Sequence, residues 1–372
     1  MIRILHILTD ANIGGAGRYL VNYLRHRDRD AYDVSVILPR GSALLPEIRA
    51  LDVPVVEADG IADRSLSLPA ISGLKRAIRE IAPDIVHTHG SFSGRVAAKQ
   101  CGVRVVYTRH SAFPVPAYLK KGPGHWLYGA LDRHYADHVI AVSPAAAENL
   151  LDSGVSEDRI TTLMNGAQAL TPMGPEERQA VRAALGIPDG VFTAGIFARL
   201  EPYKGQMLLL DAAQVLKAEG RDFRFLIGGS GSLESALRDR ISDLDLADRV
   251  RYLGFVKDVR EVLGILDLQL NCSYGTEASS LSLIEGMSLG LPTVASNYGG
   301  NPWQIDDGVT GLLFESQNAS DLADKLRRLM DDPALREKLG EQAKMAYRTR
   351  FTGEIFAENI EAVYRLVLEE TK

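Results

Sequence analysis

Along almost the whole chain, short runs of branched apolar residues alternate with longer stretches whose apolar positions return every three or four residues. The first pattern suits strands of a parallel sheet buried on both faces, and the second suits the helices that cover it. In the first half this predicts strands at 2–8, 32–38, 54–57, 85–88, 103–108, 138–142 and 160–164. Helices are expected between them at 16–25, 68–81, 92–100 and 145–151.

The alternation pauses at Gln168-Ala-Leu-Thr-Pro-Met-Gly-Pro175 and then begins again. The second cycle predicts strands at 191–198, 223–228, 250–255, 268–272, 293–296 and 312–314. Its helices fall at 205–217, 233–240, 259–263, 280–288, 321–330 and 333–347. In 205–217, Leu208, Ala212, Val215 and Leu216 share a stripe expected to face the core. The closing run 355–368 places Phe356, Ile360, Val363, Tyr364 and Val367 on one side, the mark of a docking helix. The fold class is therefore α/β, two doubly wound, Rossmann-like domains. Their expected limits are 1–168 for the first domain, 169–188 for a linker, 189–350 for the second, and 351–372 for a terminal helix.

A length of 372 residues agrees with two cores rather than one. The net charge of −6 argues against nucleic acid as the main partner, because nothing global offsets phosphate repulsion. The two cysteines, Cys101 and Cys272, lie far apart and make neither a zinc pattern nor a disulfide framework. No run approaches eighteen uncharged apolar residues, and the opening apolar stretch is too short and interrupted for a signal peptide. A cytoplasmic location is expected. The basic and aromatic stretch 118–128 suits either a peripheral membrane contact on the inner face or a plain loop and helix start.

Two glycine loops follow strands, Gly14-Gly15-Ala16-Gly17-Arg18 in the first half and Gly228-Gly229-Ser-Gly-Ser232 in the second. Each alone serves equally as a strand-to-helix turn. Two of them, one per domain, suggest a ligand clamped between facing sheet edges. Arg199 and Lys204 stand just beyond the strand 191–198, where cations can neutralise a diphosphate or remain solvated loop charges. Glu277 lies in a loop and Glu285 in an apolar helix pattern with Leu281, Ile284 and Met287. A buried glutamate there needs hydrogen-bond partners, which vicinal sugar hydroxyls would supply. His87 and His89 point to one side of their strand, but no third ligand at a metal-like spacing appears, so metal is not expected. His110 ends another strand, as a local loop residue or a cleft residue.

These motifs, in this order, resemble glycosyltransferase family 4, the retaining enzymes of GT-B fold. The resemblance rests on Gly14-Gly15-Ala16-Gly17-Arg18, Asp84-Ile-Val-His-Thr-His89, Thr108-Arg-His110, Asn165-Gly166, Arg199 with Lys204-Gly205, and Glu277 to Glu285 running into Ser288-Leu-Gly-Leu-Pro-Thr-Val-Ala-Ser296. It departs at Ala167-Gln168, where relatives commonly carry an aspartate, and at Gly17-Arg18, where many have glutamate before arginine. The Glu277-Ala-Ser-Ser-Leu281 run resembles relatives that make bacterial surface polysaccharides.

What the resemblance implies is a metal-independent, retaining transfer of a hexose or N-acetylhexosamine from a nucleoside diphosphate sugar to a saccharide, lipid-linked or small-molecule hydroxyl. A UDP-sugar is favoured over a GDP-sugar as co-substrate, with no cofactor. Gly15 and Gly229 would approach the donor through backbone, Arg199 and Lys204 would hold the diphosphate, and Glu285 and Leu281 would bind the nucleotide. Glu277 would contact the transferred sugar and His110 would lie beside it. The last helix would cross back onto the first domain. An epimerase or phosphorylase of the same fold, or a non-catalytic nucleotide-sugar-binding protein, is the alternative. A dinucleotide oxidoreductase lacks its spaced glycine pattern here.

Overall fold

The computed structural model describes residues 1–113 and 115–369. The chain falls into two compact units, one built from Met1–Ala167 and the chain from Gly353 onward, the other from Gln168–Thr352. The last three residues of the expected terminal segment 351–372 lie outside the described residues.

The first unit carries β1 (Ile2–Leu8), β2 (Tyr32–Pro39), β3 (Val55–Ala58), β4 (Ile85–His89), β5 (Arg104–Arg109), β6 (His138–Ala141) and β7 (Ile160–Thr162). They pair in parallel in the order β3-β2-β1-β4-β5-β6-β7. Leu5, Ile7, Ile37, Val86, Val105 and Val139 come from five strands yet form one core with Leu74 and Ile78 of the helix Leu68–Ile81. The two-sided burial of these strands explains why they read as unbroken apolar runs.

In the second unit β8 (Phe192–Phe197), β9 (Phe223–Gly228), β10 (Val250–Gly254), β11 (Leu268–Asn271), β12 (Thr293–Ser296) and β13 (Gly311–Phe314) form a parallel sheet ordered β10-β9-β8-β11-β12-β13. In both sheets the strand order reverses beside the first strand, between β1 and β4 and between β8 and β11. Loops at such a reversal leave the sheet in opposite directions and open a crevice at the carboxyl ends of the strands.

The helix Gln206–Ala218 buries Leu209, Ala212, Ala213 and Leu216, whereas Val215 is 36% exposed and Leu208 half-buried. The core stripe is thus rotated from the expected one through Leu208 and Val215. Leu209 begins an i, i+3, i+4, i+7 set that turns Val215 outward. Residues 169–188, expected as a linker, include the helix Pro175–Ala184. Its Val181 packs with Leu226, Ile265 and Leu266, and its buried Arg182 donates to the carbonyls of Pro188, Val191 and Ile265.

The helix Gly353–Glu369 closes the first unit. It buries Phe356, Ile360, Val363, Tyr364 and Val367 and packs on the helix Gly15–His26. Burying five such side chains contributes roughly 1.5–3 kcal/mol each before entropy. Polar clamps fix its register. The Asp28 N–H donates to Glu361 Oε1 at 2.9 Å, and Arg104 donates to the Val367 carbonyl at 2.6 Å. A Cβ on Gly353 would stand 2.2 Å from the His26 ring, so only glycine allows this approach. Among the described residues no helix is long and apolar enough to cross a membrane.

Candidate functional site

In the second unit, the loops that follow β8, β9 and β11 are laced into one surface. The chain after β8 runs through Arg199 and the buried Leu200, whose N–H donates to the Ser230 carbonyl at 2.9 Å. A Cβ on Gly229 would meet the Ala198 carbonyl at 1.9 Å, and one on Gly231 the Leu200 carbonyl at 2.4 Å. The second glycine loop therefore lies flush against the Arg199 segment, which a side chain would prevent. On the other side, Gly205 adopts a left-handed φ of 75° and fits within 2.1 Å (as a virtual Cβ) of the Cys272 carbonyl beyond β11. The Tyr274 N–H donates to the Tyr203 carbonyl at 2.9 Å.

Across this reversal point Lys204 Nζ reaches Glu277 Oε2 at 2.8 Å, with the two side chains only 14% and 8% exposed. Asn271 Nδ2 at 3.0 Å and Ser273 Oγ at 2.9 Å donate to the same oxygen. Burial alone would raise the Glu277 carboxyl, but the Lys204 ammonium and these hydrogen bonds hold it below its usual value of 4.5. Glu277 is thus an anion, and all its side-chain bonds among the described residues fall on Oε2. Its backbone is held too, since Glu277 O accepts from the Gly300 N–H at 2.8 Å. Gly299, at φ 59°, and Gly300 allow that contact, because a Cβ on Gly300 would sit 1.5 Å from the Ala278 carbonyl.

Arg199 is exposed, and its guanidinium makes no ion pair among the described residues. Leu281 is the first residue of the helix Leu281–Leu289, where Ser280 makes no side-chain cap bond. The first-turn N–H groups therefore need other partners, and anions suit them. Glu285 sits half-buried one turn on, its carbonyl accepting from Ser288 Oγ at 2.6 Å. The fold thus joins Lys204 to Glu277 and the Arg199 segment to Gly229, and puts Leu281 and Glu285 on the next helix. Asn271 and Ser273 escaped the sequence reading. Their only signal was polarity at the end of an apolar strand run.

Gly15 and His110 belong to the first unit. Gly15 opens the helix Gly15–His26, and a Cβ there would meet nothing within 4 Å, so its backbone faces open space. Arg18, one turn on, is tied to Glu47 by two bonds of 3.0 and 2.9 Å. His110 follows β5, with its ring edge-on to Tyr19 at a centroid distance of 4.8 Å and an interplanar angle of 83°. Burial lowers its pKa to about 3, so the imidazole is neutral. Its Nε2 lies 2.9 Å from His89 Nδ1. The stretch 118–128 lies in the helices Ala117–Lys120 and Pro123–Tyr135, with Tyr118, Trp126 and Leu127 between 63% and 77% exposed.

Two family descriptions match this chain, Glycosyltransferase Family 4 over residues 13–168 and Glycosyl transferases group 1 over residues 177–346. A D-inositol 3-phosphate glycosyltransferase of Nocardia farcinica is 31% identical over 309 residues, spanning 77% of this chain and 67% of the relative. Among solved structures, Anabaena HepE in complex with UDP is similar with a TM-score of 0.84 at 22% identity, covering 98% of this chain and all of that one. A glycosyltransferase from Rickettsia africae superposes with a TM-score of 0.83 at 22% identity over the full length of both chains.

Proposed function

This chain belongs to the glycosyltransferases, with a family 4 first domain, a group 1 second domain and the GT-B fold, and we propose that it transfers a sugar from a UDP-sugar to a hydroxyl acceptor with retention of configuration. The observation that carries the reading is the Lys204–Glu277 pair at the β8/β11 reversal, beside an Arg199 with no ion-pair partner among the described residues. Anabaena HepE, a protein of the same fold, has been solved with UDP and with UDP-glucose, which favours UDP over GDP here.

In this reading the diphosphate takes the Arg199 guanidinium and draws Lys204 toward itself, while the first-turn N–H groups at Leu281 and the backbone at Gly229 meet the nucleotide. Glu285 accepts from ribose hydroxyls. The C1–oxygen bond to the phosphate breaks toward an oxocarbenium-like state, and negative charge collects on the leaving UDP. Fixed cations and helix N-termini stabilise that charge without needing a metal ion. Glu277 keeps Oε2 for its protein donors and offers Oε1 to a sugar hydroxyl. It orients the donor and forms no bond to carbon. The acceptor attacks the face the diphosphate leaves, and a phosphate oxygen takes the acceptor's proton. In the first unit, the open backbone at Gly15 and the Nδ1 lone pair of His110 suit contacts to substrate. The exposed Tyr118, Trp126 and Leu127 suit an acceptor carried at a membrane surface.

Proton NMR of the product formed from a UDP-hexose tests the class, with the donor's anomeric configuration expected. An inverted product removes the retaining reading, and turnover that stops on chelation of divalent ions removes the metal-independent one. Product formation without a new glycosidic bond would point to an epimerase or phosphorylase instead. Salt-sensitive sedimentation with anionic vesicles is expected if the aromatic stretch meets lipid, and its absence favours a soluble acceptor.

A further inference from the structure

Four histidines gather at the carboxyl ends of β1, β4 and β5, in the first unit and apart from the Lys204–Glu277 pair. His6, His87 and His89 are at most 1% exposed. His110 Nε2 meets His89 Nδ1 at 2.9 Å, and His89 Nε2 meets His6 Nδ1 at 2.9 Å. His6 Nε2 then meets Tyr364 Oη at 3.3 Å, and Tyr364 Oη meets His87 Nδ1 at 2.7 Å. The His6 and His89 rings lie 5.2 Å apart between centroids with only 7° between their planes. With two nitrogens at 2.9 Å, that is an edge-to-edge, in-plane hydrogen bond and not a face-to-face stack.

Burial, then the neighbouring histidines, hold His6 and His89 well below the ordinary imidazole value, and burial does the same for His110. All three are neutral, so each ring carries one hydrogen and one lone pair. Each nitrogen–nitrogen contact can hold only one hydrogen. If His6 carries its hydrogen on Nε2, its Nδ1 must accept, so His89 donates from Nε2 and accepts at Nδ1. His110 must then donate from Nε2. The opposite choice at His6 reverses all three. The chain has two self-consistent states, and Tyr364, on the last helix, decides between them. Its hydroxyl has one hydrogen. The shorter contact to His87 assigns that hydrogen to His87 Nδ1, which leaves the phenol oxygen to accept from His6 Nε2. His87 is satisfied at its far side by Thr108 Oγ1 at 2.6 Å.

We propose that Tyr364, through His6 and His89, fixes His110 as the Nε2–H tautomer, so that its Nδ1 lone pair is free to accept from a hydroxyl of a ligand at this strand-end surface of the first unit. His110 Nδ1 has no hydrogen bond among the described residues. Tyr364, His6 and His89 are positioning residues, and the role given to His110 rests on the transferase reading above. The same His6, His87 and His89 nitrogens lie within 4.8 Å of one another and would suit a zinc ion by distance. The His6–His89 bond and the bonds of His87 to Tyr364 Oη and Thr108 Oγ1 already engage these ring nitrogens, which favours the tautomer chain.

The test uses the full chain labelled with nitrogen-15 histidine and reads ring tautomers from long-range proton–nitrogen spectra at pH 8. His6, His89 and His110 are all expected as Nε2–H forms. Tyr364→Phe is expected to move His110 out of the pure Nε2–H form across three hydrogen bonds, and to lower kcat/KM roughly tenfold, the order of one hydrogen bond. An Nδ1–H form at any of the three rings in the native protein overturns the proposal, as does stoichiometric zinc by elemental analysis. The native spectra decide even if Tyr364→Phe does not fold. The resting spectra need no turnover, so a protein that transfers no sugar leaves the tautomer chain intact, and mixed tautomers leave the transferase reading intact.

Discussion

Glu277 is a carboxylate only 7% exposed and kept charged by three donors on one oxygen, so it is only as stable as its neighbours. Removing the ammonium in Lys204→Ala strands the anion with neutral partners. A loss of about 3 kcal/mol in unfolding free energy is expected, measured by urea denaturation. A loss of about 3 kcal/mol in transition-state stabilisation, from kcat/KM, should accompany it. The pH dependence follows from the depressed Glu277 value. Its contribution is fully present above the ordinary value of 4.5 and disappears as pH falls through the lower folded value. Glu277→Gln should flatten that acid limb of stability, and an unchanged limb would assign it to other carboxylates. Gly300→Ala, with its Cβ 1.5 Å from the Ala278 carbonyl, should cost about 1–3 kcal/mol. At this scale the sequence exposed the ionisable residues but not their pairing. Glu277 and Lys204 are 73 positions apart, and only the β8/β11 neighbourhood brings them together.

The strand ends of β1, β4 and β5 form the next level, because the period of two that puts His87 and His89 on one face also aligns them with His6. All four histidines of that group are held neutral by burial. In the unfolded chain they titrate near 6.5, so unfolding takes up protons below that pH and native stability falls as pH drops. Above pH 6.5 no such loss occurs, and between its unfolded and folded values each histidine adds a slope of roughly 1.4 kcal/mol per pH unit. Chemical denaturation from pH 7.5 to 5 should show it, and His87→Gln should lessen the slope. Strands of this kind were legible since burial on both faces leaves a continuous apolar run. The helix Pro123–Tyr135 was not read as a full element, because Trp126 and Leu127 face outward and Gly124 and Gly129 interrupt any stripe. Gly129 is there for contact, its Cβ being 2.2 Å from the Gly154 carbonyl.

Across the whole molecule, the first unit is discontinuous and the second is a single stretch. The docking face of the last helix could be read from its five apolar positions. Its partner inside the first unit came from the resemblance, since no local pattern names a surface more than 300 residues away. Ending the chain at Thr352 removes Tyr364 and Phe356 from beside Tyr23 and Tyr19. Calorimetry of that shortened protein should keep the transition of the second unit and lose or sharply lower that of the first. A first transition unchanged in temperature would show the helix to be dispensable. The same discontinuity has a consequence in time. A ribosome delivers β1 to β7 well before the helix they need, and must finish the intervening unit in between. The nascent first half therefore waits with the apolar seat around Tyr19 and Tyr23 uncovered, which makes translation pauses within residues 168–352 the interval in which chaperones matter most for this protein.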